Sequence, residues 1–81
     1  MTTLQKAISN MHKAMELYAQ AQMLIDGASM LRIDATSGNP NRRQLVIWAE
    51  RQERDAKHHE DGADFYNSEA QFHFDQHARL G

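Results

Sequence analysis

The sequence predicts an all-α protein, a two-helix antiparallel hairpin, and two features predict it. The first is a pair of alanine series with a strict spacing of seven residues: Ala7, Ala14, Ala21 and Ala28, then Ala49, Ala56, Ala63 and Ala70. A repeat of seven keeps one stripe of an α-helix facing a partner helix. The second is a single turn-like stretch between the series. Antiparallel pairing across it joins alanines whose residue numbers always add to 77.

Capping residues predict where each helix begins. Thr2 and Gln5 have the spacing of a capping box, so we expect the first helix over about residues 3–32. Residues 33–39 form the predicted turn. Gly38 tolerates a positive φ there, Asn39 is a good N-cap, and Pro40 suits a first helical position. The second helix is therefore expected over about 40–80, in one domain spanning 1–81, and Gly62 leaves a kink open.

The alanine seam makes a prediction about substitutions. Leucine at Ala14 or Ala63 should prevent the close helix approach and cost about 1–3 kcal/mol by overpacking. Ala35 and Ala78 lie outside the two series, so the same substitution there is expected to be nearly silent. Gly27, inside the first helix, indicates either a close backbone contact or fraying toward the helix end.

Composition limits the class of protein. The 81 residues include no cysteine, which excludes disulfides and thiolate metal sites and fits a cytoplasmic location. We expect no signal peptide, and no apolar run approaches the ~20 residues that span a bilayer. Residues 41–54 carry four arginines and two glutamates, a net +2, while residues 55–81 carry six acids and two basic residues, a net −4. Without a dominant basic face, non-specific nucleic-acid binding is not expected.

Apolar side chains outside the seam predict self-association. One partner helix cannot cover them all, and two helices alone enclose little apolar surface. We therefore expect an oligomer, with a dimer forming a four-helix bundle favoured over a higher ring. The residues assigned to this oligomer or partner interface are Met23, Leu24, Met30, Leu31, Phe65 and Phe72.

Polar residues near the turn form the predicted binding site. The candidates are Arg32, Asn41, Arg42, Arg43 and Trp48. Arginines beside the free N–H groups of a helix start attract phosphate or an acidic protein surface. In the milder alternative, the nearby carboxylates of Asp26, Asp34 or Glu50 neutralise these arginines.

Histidines suggest two further hypotheses. Glu69, His73 and His77 have a spacing that can place a carboxylate and two imidazoles on one metal, although ordinary surface histidines are the simpler interpretation. In addition, His59, Tyr66 and His73 fall opposite Tyr18, Met11 and Leu4 in the register of 77. Such a partly polar seam would set register through hydrogen bonds between the helices.

Together these features favour a non-enzymatic protein-interaction module that occludes or bridges another macromolecule. In a general way the chain resembles small accessory and inhibitor proteins of bacteria and their phages, although no motif assigns a family. The first alternative is an oligomeric binder of an anionic small molecule such as a nucleotide, with Trp48 or Tyr18 stacking on a base. The second is the histidine metal site. No cofactor is expected.

Overall fold

The computed structural model describes residues 1–36 and 38–80. Two long helices account for most of them, α1 (Thr3–Thr36) and α2 (Arg42–Leu80). They pack along their length as an antiparallel hairpin, a rod with extents of 62 × 16 × 12 Å. The all-α hairpin predicted from the alanine series is confirmed.

The capping box at the start of α1 forms as predicted. The backbone N–H of Gln5 donates to Thr2 Oγ1 over 3.1 Å, and the N–H of Thr2 donates to Gln5 Oε1 over 2.9 Å. These two bonds satisfy backbone donors that a helix start otherwise leaves unpaired. The first turn of α1 is therefore fixed by its own sequence.

The end of α1 lies beyond the predicted boundary near residue 32. Ala35 continues the first alanine series by one more interval of seven and is only 3% exposed, so the last turn packs against α2. Thr36 closes this turn by donating its hydroxyl to the carbonyl of Ile33 over 2.8 Å. The expectation that Ala35→Leu would be silent is therefore wrong, because Ala35 belongs to the seam.

The turn uses the residues that the sequence indicated. Gly38 has a φ of 79°, and Asn39 Oδ1 accepts the backbone N–H of Asn41 over 2.8 Å, the bond of an N-cap residue. The carbonyl of Asn39 also accepts the N–H of Arg42 over 3.1 Å. This tight first turn is why regular α2 begins at Arg42 rather than at Pro40. Ser37, within the predicted turn, and Gly81 lie outside the described residues.

The core is made almost wholly of alanine. Its buried members are Ala7, Ala14, Ala21, Ala28, Ala35, Leu45, Ala49, Ala56, Ala63 and Ala70. Among the described residues no large side chain is fully buried, and no polar side chain belongs to the core. Small side chains let the helix backbones approach closely, but they remove little apolar surface from water. The seam consequently fixes register, while most large apolar side chains stay outside it.

Both helical glycines lie against side chains of the opposite helix. A Cβ atom on Gly27 would lie 2.5 Å from Gln52 Oε1, and one on Gly62 would lie 3.3 Å from Leu17 Cδ1. The residue numbers of each pair add to 79, close to the 77 of the alanine pairs. Gly27 is therefore in close contact with the Gln52 side chain rather than with a backbone, and α1 continues beyond it to Thr36. α2 runs through Gly62 without interruption.

Candidate functional site

A groove lies on the surface at the turn end of the rod. It is lined by Pro40, Arg42, Arg43, Val46 and Ile47 and has a volume of about 650 Å³. All five residues come from the capped start of α2, so the Asn39 cap that orients the helix also shapes the groove. We call it the turn-end groove. Its walls are apolar, and two guanidinium groups belong to its lining.

Two of the carboxylates expected to neutralise the turn-end groove form no ion pair with its arginines. Neither Asp26 nor Glu50 is paired with Arg42 or Arg43. Asp26, one of the carboxylates expected to neutralise them, instead accepts a hydrogen bond from Gln22 Nε2 over 2.9 Å. Positive side chains in the first turn oppose the helix dipole, and a bound anion relieves this repulsion. The groove therefore suits a negatively charged group that is flanked by apolar surface.

Arg32 does not join this groove. Its guanidinium pairs with Glu53, with Nε at 2.8 Å and Nη2 at 2.5 Å from Oε1. Arg32 is therefore paired with Glu53 and is not part of the groove lining, and its role in binding stays a prediction. Both side chains are nearly half exposed, so we assign this ion pair at most about 1 kcal/mol of stability.

Trp48 and Asn41 also lie outside the groove lining. Trp48 is 46% exposed and follows Ile47, so it projects about 100° further around the helix. Asn41 acts through its backbone: its N–H bonds to Asn39 and its carbonyl accepts the N–H of Leu45 over 3.0 Å. Val46 and Ile47, which were not among the predicted site residues, supply the groove wall instead.

The residues predicted for the oligomer interface fall into separate groups. Leu24 and Leu31 are half-buried at the flank of the seam. Met23 and Met30 are mostly exposed, and so are Phe65 and Phe72. Each exposed residue follows a seam alanine by two positions and so lies about 200° around its helix from the seam. The methionines and phenylalanines therefore occupy opposite edges of the hairpin.

The two phenylalanines are held in place by their chain neighbours. Phe65 packs edge to face against Tyr66, with ring centroids 5.4 Å apart and an interplanar angle of 78°. Phe72 packs in the same way against His73, at 5.5 Å and 70°. Edge-to-face packing is a favoured aromatic geometry. The outer edge of α2 thus carries two positioned aromatic rings that are more than half exposed.

The predicted polar seam between the helices is replaced by a different contact. Tyr18 donates its hydroxyl to Asp64 Oδ1 over 2.5 Å, whereas His59 Nδ1 lies 2.7 Å from the carbonyl of Asp55 in its own helix. The hydrogen bond to Asp64, with smaller contributions from desolvation and from the charges of Asp64 and Glu60, raises the pKa of the Tyr18 phenol. Asp64 was not predicted as the partner of Tyr18, because their residue numbers add to 82 rather than to 77.

The histidine end of α2 holds one loose pair. His73 Nε2 lies 4.0 Å from Glu69 Oε2, and His73 Nδ1 is buried without a hydrogen-bond partner. His77, the remaining metal-site candidate, is exposed. Across the two described ranges, no group of three or more histidines and carboxylates is arranged to hold a metal ion.

The described helices contain no segment both long and apolar enough to span a lipid bilayer. No protein-family model matches the sequence, and comparison with curated proteins and with solved structures finds no significant match.

Proposed function

We propose that the protein is a small non-enzymatic interaction module that binds, and thereby occludes or bridges, another macromolecule. The observation that carries this proposal is the turn-end groove, where the guanidinium groups of Arg42 and Arg43 lie beside the apolar Val46 and Ile47. A charged rim beside an apolar wall is typical of a protein-binding surface. The complementary partner is a protein surface that carries both carboxylates and apolar side chains.

The total exposed surface supports binding by a macromolecule. The chain of 9.3 kDa exposes 6045 Å². The scaling for compact monomers gives roughly 5,000 Å² at this mass. The excess of roughly 1,000 Å² follows from the elongated shape of the rod. It exceeds the ~800 Å² that each partner buries in a standard interface, so the hairpin has enough surface for one macromolecular partner.

Small-molecule binding receives less support from the same geometry. A nucleotide site needs a concave pocket that encloses most of the ligand. The groove is built from one short segment, and neither proposed stacking residue lies in it: Trp48 is not part of the lining, and Tyr18 lies beside Asp64, about 30 Å along the rod from Arg43. Binding of an inorganic anion by the two arginines would be weak and strongly salt-dependent.

The test is a charge reversal with a matched control. We expect Arg42→Glu/Arg43→Glu to abolish capture of the binding partner from an extract of the native host, because acidic side chains would repel an acidic surface. Lys6→Glu/Lys13→Glu makes the same change in net charge on α1, far from the groove, and should leave capture intact. Equal capture by both variants would refute the groove as the binding surface. Thermal stabilisation by nucleotides that Arg42→Glu/Arg43→Glu removes would instead favour the small-molecule alternative.

A further inference from the structure

The outer edge of α2 has an uneven distribution of charge. This edge consists of the positions two and five residues after each seam alanine of α2, together with Gln44 and Ile47 one heptad earlier. These positions point away from α1. Its residues are, in order, Gln44, Ile47, Arg51, Arg54, His58, Asp61, Phe65, Ser68, Phe72 and Asp75. All are exposed. The half near the turn is basic, and the half near the C-terminal end of α2 is acidic and aromatic.

The charges that define the two halves form no ion pair among residues 1–36 and 38–80. No ion pair joins Arg51 or Arg54 to another described residue, and none joins Asp61 or Asp75. The outer edge of α1 has no such division, since its full charges are the acids Glu16 and Asp26. Only α2 therefore presents an edge whose halves are complementary to each other.

We propose that the surface complementary to this edge is the same edge of a second copy of the chain, running antiparallel. The inference rests on the proposed function and names the partner of the turn-end groove. A two-fold axis between the copies brings each basic half against an acidic half, so the same contact forms twice. The copies would lie side by side with their α2 helices in contact and their α1 helices outermost.

One register keeps like charges apart along the edge, and it sets Arg51 opposite Ser68. It joins residues whose numbers add to 119, as a seven-residue repeat pairs across two antiparallel helices. His58 then faces Asp61 of the second copy, and Arg54 faces the ring of Phe65, where a guanidinium is attracted to the aromatic face. Beside the edge, Lys57 lies next to Asp64 of the second copy.

The registers one heptad away set Arg51 opposite Asp61 or Asp75, but they also oppose like charges beside the edge. In the register of 112, the turn ends lie closer to the two-fold axis. Asp55 of one copy then lies opposite Asp55 of the other, and Lys57 lies opposite Lys57. In the register of 126, Asp64 of one copy lies opposite Asp64 of the other, and Asp55 lies next to Glu69 of the other copy. Like charges facing each other across an interface disfavour that arrangement. The register of 119 is the one of the three that avoids such pairs.

The same register sets an aromatic ring against each turn-end groove. Phe72 of each copy faces Ile47 of the other, at the apolar wall of the groove, and Asp75 faces Gln44, one residue beyond Arg43. An apolar partner for the groove wall is thus present in the chain itself. Burying the positioned phenylalanines also removes the most exposed aromatic surface of the hairpin.

A charge-swap experiment tests this pairing. Two variants are made, Arg51→Glu/Arg54→Glu and Asp61→Lys/Asp75→Lys, and their mass is measured by native mass spectrometry. Each variant alone has two halves of like charge, so we expect its dimer to be at least about tenfold weaker than that of the wild type. An equimolar mixture should restore a dimer that contains one copy of each, because every acidic half then meets a basic half.

The outcomes separate this inference from the proposed function. A monomeric wild type, or a mixture that stays monomeric while both variants remain helical by circular dichroism, overturns the pairing. A foreign partner lost only in Arg42→Glu/Arg43→Glu would still support the groove. Phe65→Ser/Phe72→Ser gives a second route that leaves the charges unchanged. It should also weaken the dimer, and an unaltered dimer in this variant would contradict the register.

Discussion

The alanine seam predicts a large effect from one added side chain. In Ala63→Leu, three further carbon atoms enter a site that is 0% exposed and faces Ala14, which is 2% exposed. The leucine fits only if the helices separate, which uncovers the methyl groups of Ala56 and Ala70. Each buried methyl or methylene contributes about 0.8 kcal/mol, so uncovering two costs about 1.6 kcal/mol. This agrees with the ~1–3 kcal/mol typical of overpacked cores.

Thermal unfolding followed by circular dichroism measures this effect. For a chain of this length, each 1 kcal/mol lowers Tm by about 4–8 °C, so we expect Ala63→Leu to lower Tm by at least about 4 °C. Ala19→Leu is the matched control, because it adds the same side chain at an exposed position of α1, where we expect a change within ±0.5 kcal/mol. All samples need one protein concentration, because self-association would also raise Tm. Equal Tm values for the two variants would refute the seam.

Two further predictions concern residues that contact the opposite helix. Gly62→Ala should raise Tm, because alanine has up to ~1 kcal/mol more helix propensity than glycine. The added Cβ would lie 3.3 Å from Leu17 Cδ1, the end of a flexible side chain that can shift slightly. A lower Tm would show that Leu17 cannot move aside. The phenol of Tyr18 should titrate above its ordinary pKa in a Tyr66→Phe background, and Asp64→Ala should bring that pKa down, as followed by ultraviolet absorbance. Because the folded-state pKa is raised, the contribution of this hydrogen bond to stability is present below the unfolded pKa and is lost as pH rises through the folded one. An unchanged titration in Asp64→Ala would exclude the bond in solution.

The fold could be predicted because its determinants are local and periodic. The seven-residue alanine spacing gives the pairing, and the Thr2–Gln5 capping box and the Asn39 cap act within a few residues of themselves. The end of α1 was predicted too early because polar residues around Ala35 have the composition of a turn. The spacing from Ala28 to Ala35 was the signal that could have corrected it.

The contacts of the long side chains could not be predicted from the alanine register alone. Tyr18 with Asp64 gives residue numbers that add to 82, and Arg32 with Glu53 gives 85, both above 77. Helical side chains lean toward the N-terminus of their own helix. In an antiparallel pair, each side chain therefore meets a residue further along the other helix. The two residue numbers of such a contact add to more than 77. This sum rises with side-chain length. The long side chain of Arg32 therefore contacts Glu53 and does not line the turn-end groove.

The most direct test of the proposal that this hairpin binds a second copy of itself is sedimentation equilibrium of the wild-type chain in the micromolar range. We expect a dimer of twice 9.3 kDa that dissociates as salt concentration rises, because the basic half of each α2 edge lies against the acidic half of the other. A chain that stays at 9.3 kDa throughout that range, at low as well as high salt, would contradict it.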